Sequence, residues 1–268
     1  WKDTARKRNF SKSSRVYNYL AMRLDQYLVS QYGFTRNKSQ QLIDLGLVMV
    51  DGKIYNKASQ SIWKDQEVTI TEDRRVTWVS RSAEKLMGFL ETMKNPITIS
   101  DTHCLDVGSS TGGFTQVLLS EWARHIDAVD VGTNQLHESI RLHPNISSYE
   151  QMDIRDFSKQ HNSDSSYGII VCDASFISLV EIIDAILELA SIDTYIILLY
   201  KPQFEVWREY LRKTWVPKNQ EIVEQKMKEF EVMLHTKNCS ILEKEKSSLM
   251  GEAGNQEWIY MIQKKSQK

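Results

Sequence analysis

Cysteine is scarce in this chain of 268 residues, and its three copies show no CxxC spacing. The three are Cys104, Cys172 and Cys239. Two of them lie inside apolar runs, where cysteine usually acts as a small buried hydrophobe. The pattern excludes a structural zinc site of cysteines and favours a reducing, cytoplasmic setting. The six histidines are dispersed, so the sequence predicts no metal site. We expect four of these histidines at the surface or in helix caps, namely His103, His125, His137 and His143.

Long apolar runs are also absent. Runs such as residues 195–200 fall far short of the ~20 residues that span a bilayer. No apolar stretch follows the basic residues at 6–8, as a signal peptide would require. A hydrophobic content of 41% and a charged content of 26% instead predict a packed, soluble protein without membrane contact. The length suits one large domain and one small domain.

The net charge of −1 conceals two regions of opposite sign. Residues 1–75 hold 14 Lys and Arg against 8 Asp and Glu, whereas residues 76–268 hold 20 against 27. A basic front suggests contact with a polyanion. Six of its basic residues lie before Met22, however, so charge alone leaves a solvated tail and a nucleic-acid-binding segment as alternatives.

The most informative segment is residues 104–115 (CLDVGSSTGGFT), where an apolar run ends in an acid and a glycine-rich turn leads into a helical pattern. In such a strand–loop–helix unit the loop lets a ligand approach the backbone. About 20 residues on, a second strand ends in Asp130, where these folds bind ribose hydroxyls. The loop matches neither the triphosphate-binding nor the dinucleotide-binding glycine motif. An adenosine cofactor without a phosphate chain, commonly S-adenosylmethionine, fits best, and an ordinary βα turn is the alternative.

Short apolar runs alternate with amphipathic helices from Val76 onward. This alternation predicts an α/β fold with a doubly wound, mostly parallel sheet and ligands at the carboxyl ends of the strands. The strands at 240–247 and 257–263 lack a long helix between them and are expected to form an antiparallel edge hairpin. The other predicted strands are 103–107, 125–131, 147–151, 168–173 and 194–200. The predicted helices are 82–93, 113–123, 134–142, 179–190 and 219–236.

Two further strands end in charged residues. Asp173 follows one apolar strand, and Lys201 follows the next, directly after six apolar residues. A lysine at such a place is costly unless it is paired, and Asp173 on the neighbouring strand is its natural partner. A pair at the ligand edge of the sheet is suited to proton handling. A structural ion pair that caps the sheet is the alternative.

The front of the chain has its own organisation. Residues 23–28 and 37–45 predict two helices, and residues 48–54 predict a hairpin about an Asp-Gly turn. With RLDxxL, TRxxS and VDGK in that order, residues 22–70 resemble the S4 RNA-binding domain. The resemblance implies that cations near a helix start reach the phosphates of folded RNA. The candidate RNA-binding residues are Arg23, Arg36, Lys38 and Lys53.

Six motifs extend the resemblance to nearly the whole chain. They are SR with KL at 80–86, LDVGSSTGGF at 105–114, AVDVG at 128–132, DASFIS at 173–178, KPQFE at 201–205 and GNQE at 254–257. Together they resemble the TlyA group, S4-domain proteins with an FtsJ-like methyltransferase domain, some of which are also labelled haemolysins. The resemblance implies a Rossmann-like methyltransferase sheet at 76–268, preceded by a small α+β S4-like domain at 22–75.

The resemblance also implies roles for individual residues. Members of the group are S-adenosylmethionine-dependent ribosomal RNA cytidine 2′-O-methyltransferases. A catalytic tetrad is implied for Lys85, Asp173, Lys201 and Glu257. Cofactor contacts are implied for Asp106, Gly108, Gly112, Phe114, Asp130 and Asp153. The chemistry agrees, because a ribose 2′-hydroxyl is a weak acid whose attack needs alignment, proton removal and no metal.

The sequence departs from the group in several places. Ser82 and Ala83 replace two glycines before the first lysine, and tryptophan stands at 122, 207 and 215 where relatives usually carry glycine. Trp122 follows a helix, where a left-handed residue is favoured and tryptophan would cost roughly 1–2 kcal/mol. Glycine is also scarce, at 11 of 268 residues. We therefore hypothesise that some tryptophans are misread glycine codons, with chance substitution as the alternative.

The start of the chain also differs from the group. Relatives tend to begin at the position of Met22, so residues 1–21 are interpreted as a basic extension from an overextended reading frame.

Four functions compete at this level. An RNA 2′-O-methyltransferase that acts as a cytoplasmic monomer on ribosomal RNA or ribosomal subunits accounts for all six motifs. A non-catalytic RNA-binding or assembly factor would retain the fold, and Trp207, just after KPQFE, could obstruct the site. A pore-forming haemolysin would need a spanning segment or a strongly amphipathic basic helix. A small-molecule methyltransferase would leave the S4-like front without a purpose.

Overall fold

A computed structural model of the chain describes residues 21–32, 34, 36–44, 46–63, 66–71, 78–161 and 167–266. The chain divides into two compact units, residues 1–77 and 78–268. The predicted extension at 1–21 lies outside the described residues except for residue 21, as does the predicted boundary at 75/76.

The described residues of the first unit form two helices and five short strands. In chain order they are β1 Met22–Arg23, α1 Leu24–Tyr32, α2 Arg36–Asp44, β2 Val48–Val50, β3 Lys53–Ile54, β4 Ser61–Ile62 and β5 Val68–Ile70. Strands β3, β2 and β5 form an antiparallel sheet, and β1 pairs with β4. Asp51 and Gly52 have φ of 49° and 74°, as a tight hairpin turn between β2 and β3 requires. The predicted helix pair and hairpin are thus confirmed.

The core of this unit comes from the apolar faces of the two helices. Leu24 and Leu28 of α1 are fully buried against Leu42 and Ile43 of α2 and against Val48 of β2. The spacing of four between Leu24 and Leu28 puts both side chains on one helix face. Packing of these two helices on a small sheet therefore follows directly from the apolar spacing in the sequence.

The second unit is built on a seven-stranded sheet. Its strands are β6 His103–Val107, β7 His125–Val129, β8 Ile146–Tyr149, β9 Tyr167–Cys172, β10 Ala190–Tyr200, β11 Cys239–Lys246 and β12 Trp258–Lys264. Their order across the sheet is β11-β12-β10-β9-β6-β7-β8. Strands β10, β9, β6, β7 and β8 are parallel, whereas β12 and β11 run antiparallel at one edge. The α/β fold with a mostly parallel sheet and an antiparallel edge hairpin is confirmed.

Helices cover both faces of this sheet. They are α3 Ser82–Thr92, α4 Gly113–Ser120, α5 Glu138–Arg141, α6 Ile154–His161, α7 Leu179–Leu189, α8 Pro202–Glu205 and α9 Gln220–Thr236, with a 3-10 turn at Arg208–Tyr210. Leu86 of α3 and Val117 of α4 pack on one face, and Phe157, Ile183 and Phe230 of α6, α7 and α9 pack on the other. Because both faces are buried, the central strands are continuous apolar runs rather than alternating ones.

The helix prediction is wrong at α5 and omits α6 and the short α8. Residues 131–137 lie in bends, because Asn134 has a left-handed φ of 52° and the His137 side chain accepts a hydrogen bond from the Ser139 amide, so α5 begins only at Glu138. The sequence also missed α6 altogether. Asp153 starts that helix, since its carboxylate accepts a hydrogen bond of 2.8 Å from the Arg155 amide.

All three cysteines are buried as free thiols, although the sequence predicted burial for only two of them. Burial raises the pKa of Cys104 to about 11 and that of Cys172 to about 12, so both are inert thiols in the core. None of the helices among the described residues has both the length and the apolarity of a membrane span.

The three unusual tryptophans differ in backbone conformation. Trp122 and Trp215 have φ of 65° and 61°, whereas Trp207 has φ of −62°. All three are exposed, Trp122 by 78%. Left-handed backbone costs a residue with a Cβ about 1–2 kcal/mol, and glycine avoids that cost. The backbone therefore supports glycine as the suited residue at 122 and 215 and gives no such support at 207.

We expect Trp122→Gly to raise the free energy of unfolding by about 1 kcal/mol, because relief of left-handed strain exceeds the entropy that glycine gains in the unfolded chain. Trp215→Gly should gain less, since the Arg208 guanidinium lies 4.6 Å from the Trp215 ring centre and would lose that contact. Trp207→Gly is the matched control and should bring no gain. Urea unfolding of the four proteins measures this, and a destabilised Trp122→Gly would contradict the account.

Candidate functional site

The loop after β6 is forced close to the loop after β9. Gly108 has φ of 77°, and a Cβ built on it would lie 2.9 Å from the Ala174 Cα. Its amide donates to the Val129 carbonyl at 2.9 Å. Only glycine meets both conditions, the positive φ and the near contact with backbone. The ends of β6, β7 and β9 therefore converge at one edge of the sheet.

A cavity of about 430 Å³ opens at this edge. Its size falls in the range of small-molecule sites, and parallel α/β sheets bind ligands in this place. The lining comes from the ends of β6, β7 and β9 and from the residues before α6. Of the six residues predicted to contact a cofactor, three line it, namely Gly108, Asp130 and Asp153.

Asp130 holds the glycine-rich loop in place. One carboxylate oxygen accepts a hydrogen bond of 2.8 Å from the Ser110 amide, and the other accepts one of 2.7 Å from the Gly132 amide. Each carboxylate oxygen can accept a second hydrogen bond, so both keep capacity for hydroxyl donors. Asp153, across the cavity, is held by Arg155 through contacts of 2.9 and 2.6 Å. The Arg155 guanidinium holds the pKa of Asp153 below its usual range.

The other three predicted cofactor residues stand outside the cavity. Phe114 is buried with Leu86 and Val117 in the core between α3, α4 and the sheet. Gly112 starts α4 with φ of 94°, and a Cβ there would lie 2.9 Å from methyl carbons of the residues at 136 and 140. Asp106 is fully buried on β6, where it accepts a hydrogen bond of 2.5 Å from the Thr115 hydroxyl. These three residues therefore pack beneath the cavity and do not line it.

The four residues of the predicted tetrad form two buried ion pairs. The Lys85 Nζ lies 2.5 Å from a Glu257 carboxylate oxygen, and the Lys201 Nζ lies 2.7 Å from an Asp173 carboxylate oxygen. Lys201 also donates to the Ser175 hydroxyl at 2.7 Å. Buried ion pairs gain little net stability, because desolvation offsets much of the Coulomb attraction. Stability alone is therefore a poor explanation for two such pairs at one edge of the sheet.

Strand pairing explains how these residues meet. β10 is parallel to β9, so Lys201 after β10 reaches the same edge as Asp173 after β9. β12 is antiparallel to β10, with Tyr200 opposite Trp258, so Glu257 immediately before β12 also lies at that edge. Lys85 reaches Glu257 from α3, although the two are 172 positions apart in the chain.

Three residues of the quoted motifs have roles that the sequence did not assign, namely Gln203, Glu205 and Ser178. Gln203 is buried and donates to Glu257 at 3.4 Å, which connects the loop after β10 to the second ion pair. Glu205 accepts hydrogen bonds from the Ser178 hydroxyl at 2.5 Å and from the Leu179 amide at 2.8 Å. It thereby joins KPQFE to DASFIS at the start of α7. The signal was present, since all three residues lie inside motifs that the sequence singled out.

An exposed aromatic stands at the mouth of the cavity. Phe176 is 85% exposed and has φ of 64°, and its ring centre is 5.3 Å from that of Phe204. The Lys201 Nζ lies 6.0 Å from the Phe204 ring centre, so the aromatic pair adjoins this lysine. Trp207 is not among the residues that line this cavity.

The candidate RNA-binding residues lie in the first unit. Arg36 at the start of α2 and Lys53 on β3 are exposed. Arg23 forms a two-contact ion pair with Asp25, at 2.9 and 2.8 Å, so a phosphate would compete for its guanidinium. The side chain of Lys38 lies outside the described residues.

Comparison with known protein families agrees with this architecture. The family model described as FtsJ-like methyltransferase matches residues 78–264, and the S4 domain model matches residues 22–67. The fold and the site therefore define an S4-domain protein whose second domain is a methyltransferase of the FtsJ-like family.

Similarity to individual proteins identifies the family within the FtsJ-like methyltransferases. The chain is 37% identical over 257 residues to 23S rRNA (cytidine-2'-O)-methyltransferase TlyA of Campylobacter jejuni, covering 89% of this chain and 98% of that protein. It is 39% identical over 186 residues to 16S/23S rRNA (cytidine-2'-O)-methyltransferase TlyA of Mycobacterium tuberculosis, covering 69% and 68%. A solved structure from Streptococcus thermophilus, provisionally named a hemolysin, has a TM-score of 0.68 at 28% identity, covering 92% and 89%. The chain belongs to the TlyA family, in which hemolysin is a secondary label.

Burial makes Asp106 a source of pH dependence. Loss of hydration, followed in size by the charge of Asp173, raises the pKa of Asp106 to about 7 despite the hydrogen bond from Thr115. A carboxyl whose pKa is raised on folding contributes stability below its unfolded pKa of about 4 and loses it as pH rises through about 7. We expect stability to fall across this window, and Asp106→Asn to flatten the fall. Urea unfolding at pH 5 and pH 8 checks this, and equal slopes for both proteins would contradict it.

Proposed function

We propose that this protein transfers a methyl group from S-adenosylmethionine to the 2′-hydroxyl of a cytidine in ribosomal RNA, with its S4 domain binding the RNA. The observation that carries the proposal is the convergence of a cofactor-sized cavity and two buried lysine–carboxylate pairs at one edge of the sheet. The names of the TlyA relatives supply the substrate class and the target atom.

The cavity suits an adenosine ligand without phosphates. Asp130 offers two carboxylate oxygens to ribose hydroxyls, and the close backbone at Gly108 leaves room for the ligand beside the loop. Asp153 lines the same cavity and offers a second carboxylate as a hydrogen-bond acceptor for the ligand. Asp130, Asp153 and Asp173 make this lining acidic, which suits a cationic sulfonium and disfavours a phosphate chain. When bound, S-adenosylmethionine supplies an electrophilic methyl group on sulfur.

The residues around Lys201 act on the attacking hydroxyl. Lys201 is fixed by Asp173 and Ser175, so its Nζ occupies one defined position at the cavity edge. There it can orient the 2′-oxygen, accept its proton or stabilise the negative charge that develops on it. Lys85 and Glu257 form the second fixed pair of the site. Alignment of the 2′-oxygen in line with the methyl group accounts for much of the expected rate.

The alternative of a non-catalytic RNA-binding factor fits the site less well than the enzyme does. A non-catalytic RNA-binding factor would have no need for two buried ion pairs beside a cavity, each of which carries a desolvation cost. Trp207, which could have obstructed the site, is 69% exposed and outside the cavity lining. We therefore favour the enzyme. The cytoplasm as its location, and a monomer as its active form, are part of the same proposal.

Lys201→Ala should fold and bind S-adenosylmethionine normally, because the cofactor loop lies on another strand, while methyl transfer should fall by ~10²-fold or more. Lys201→Arg should not restore the rate, since a guanidinium stays protonated in proteins. Transfer of labelled methyl groups to ribosomal subunits, with calorimetry of cofactor binding, measures both effects.

Two controls separate chemistry from structure. Asp130→Ala should weaken cofactor binding by about 1–3 kcal/mol, the scale of lost charged hydrogen bonds. This is the opposite of Lys201→Ala, which should keep cofactor binding and lose methyl transfer. Lys264→Ala removes a lysine that bonds the Leu187 and Ala190 carbonyls at the other edge of the sheet, and it should leave the rate unchanged. Full activity in Lys201→Arg would show that Lys201 serves only as a positive charge.

Arg36→Ala with Lys53→Ala should weaken ribosomal RNA binding and reduce its salt dependence by up to about two units of slope. With fewer phosphates neutralised, binding releases fewer counterions. Cofactor binding should not change. Binding isotherms at several salt concentrations measure the slope. The charge-matched control is Lys159→Ala with Lys228→Ala on the second unit, and an equal loss in that control would remove the assignment to the S4 domain.

A further inference from the structure

A cluster of possible metal ligands lies at the amino ends of the parallel strands, whereas the cavity lies at their carboxyl ends. His103 begins β6 and His125 begins β7, and these two residues are paired in the parallel register. Asp127 follows His125 by two positions, so both side chains lie on the same face of β7. One ligand atom from each of the three residues lies within 4.8 Å of the other two. The spacing of histidines along the chain gave no sign of this cluster, because its members meet through strand pairing.

The distances within the cluster suit a small divalent cation. The His103 Nε2 lies 3.0 Å from one Asp127 carboxylate oxygen, and the His125 Nε2 lies 3.4 Å from the other. Zinc bonds of about 2.0–2.1 Å in tetrahedral geometry place neighbouring ligand atoms about 3.3 Å apart. The two separations in the cluster bracket that value, so a cation could enter between the side chains with small rotations.

The surroundings hold these side chains in place. The Tyr167 hydroxyl donates to Asp127 at 2.7 Å, and its ring centre lies 4.6 Å from that of His103. The Tyr167 hydroxyl is thus an outer-shell partner of the kind that orients metal ligands. The Ser147 hydroxyl lies 2.9 Å from the His125 Nε2, the proposed ligand atom, so a bound cation would replace this hydrogen bond. The imidazoles of His103 and His125 are 24% and 34% exposed, which leaves one side of the cluster open to a water ligand and to entry of the ion.

We propose that His103, His125 and Asp127 form a zinc-binding site that joins the beginnings of β6 and β7. Two neutral imidazoles and one carboxylate are ligands that zinc prefers, and a water can complete four-coordination. The site is separate from methyl transfer, because β6 carries the cluster at its first residue and the cofactor loop after its last. Over five residues that separation is roughly 13 Å. The proposal stands whether or not the proposed function is correct.

Chelator-treated full-length protein should bind one equivalent of Zn²⁺ in a competition titration with a fluorescent zinc chelator, and Co²⁺ should give the visible absorption of a tetrahedral site. His103→Ala and His125→Ala should each weaken binding at least about tenfold. Tyr167→Phe, which removes only the outer-shell donor, should weaken it by about tenfold or more while retaining one equivalent. The matched control is His235→Ala on the exposed face of α9, which should bind zinc as the unchanged protein does.

Zinc should also raise the melting temperature of the unchanged protein and not that of the His125→Ala variant, because only a folded site binds the ion. Circular dichroism of the metal-free variants verifies that they fold, and the unchanged protein alone already tests the stoichiometry. Absence of one tight equivalent, or an equal loss of affinity in His235→Ala, would overturn the proposal and leave the cluster as a hydrogen-bond network.

Discussion

The close approach of two loops at Gly108 is the constraint on which the candidate site depends. The loop after β6 can touch the loop after β9 only because position 108 has no Cβ and adopts a left-handed φ. The β9 loop begins with Asp173, which holds Lys201. Any widening at Gly108 would thus displace a wall of the cavity and one partner of an ion pair together. Cofactor geometry and lysine position are coupled through one backbone contact.

The rest of the fold keeps this edge rigid at a cost in electrostatic energy. Lys85, Glu257 and Lys201 are buried, and the desolvation of buried ions amounts to several kcal/mol each before pairing. Apolar packing on both faces of the sheet offsets that cost. Motif residues that touch no ligand, such as Glu205 at the start of α7, bind the site loops to one another. In the proposed reaction, a lysine fixed in this way would stabilise the developing alkoxide without rearrangement.

Apolar periodicity predicted most of the architecture, and its failures have local causes. The long buried strands and helices are confirmed, because period and burial agree in them. Helix α6 was missed because it is short and its cap, Asp153, had been interpreted only as a cofactor contact. The cofactor contact of Phe114 was implied by the family resemblance and not by periodicity, and its side chain packs into the core. The cluster at His103 and His125 was missed because neighbours across parallel strands have no fixed spacing in sequence.

The sequence by itself determined the fold class, the two-part organisation and the motifs that carry chemistry, since these depend on local pattern and on residue type. The sequence also predicted the pair of Lys201 with Asp173, 28 positions apart, from the ends of neighbouring strands. Only the tertiary structure decided that Lys85 pairs with Glu257 across 172 positions, through strand order and register. It also decided which predicted residues line the cavity, as Gly108 and Asp130 do, and which lie beneath it. The physical reason is that side-chain orientation within an element follows from its period, whereas contacts between elements exist only once the sheet has assembled.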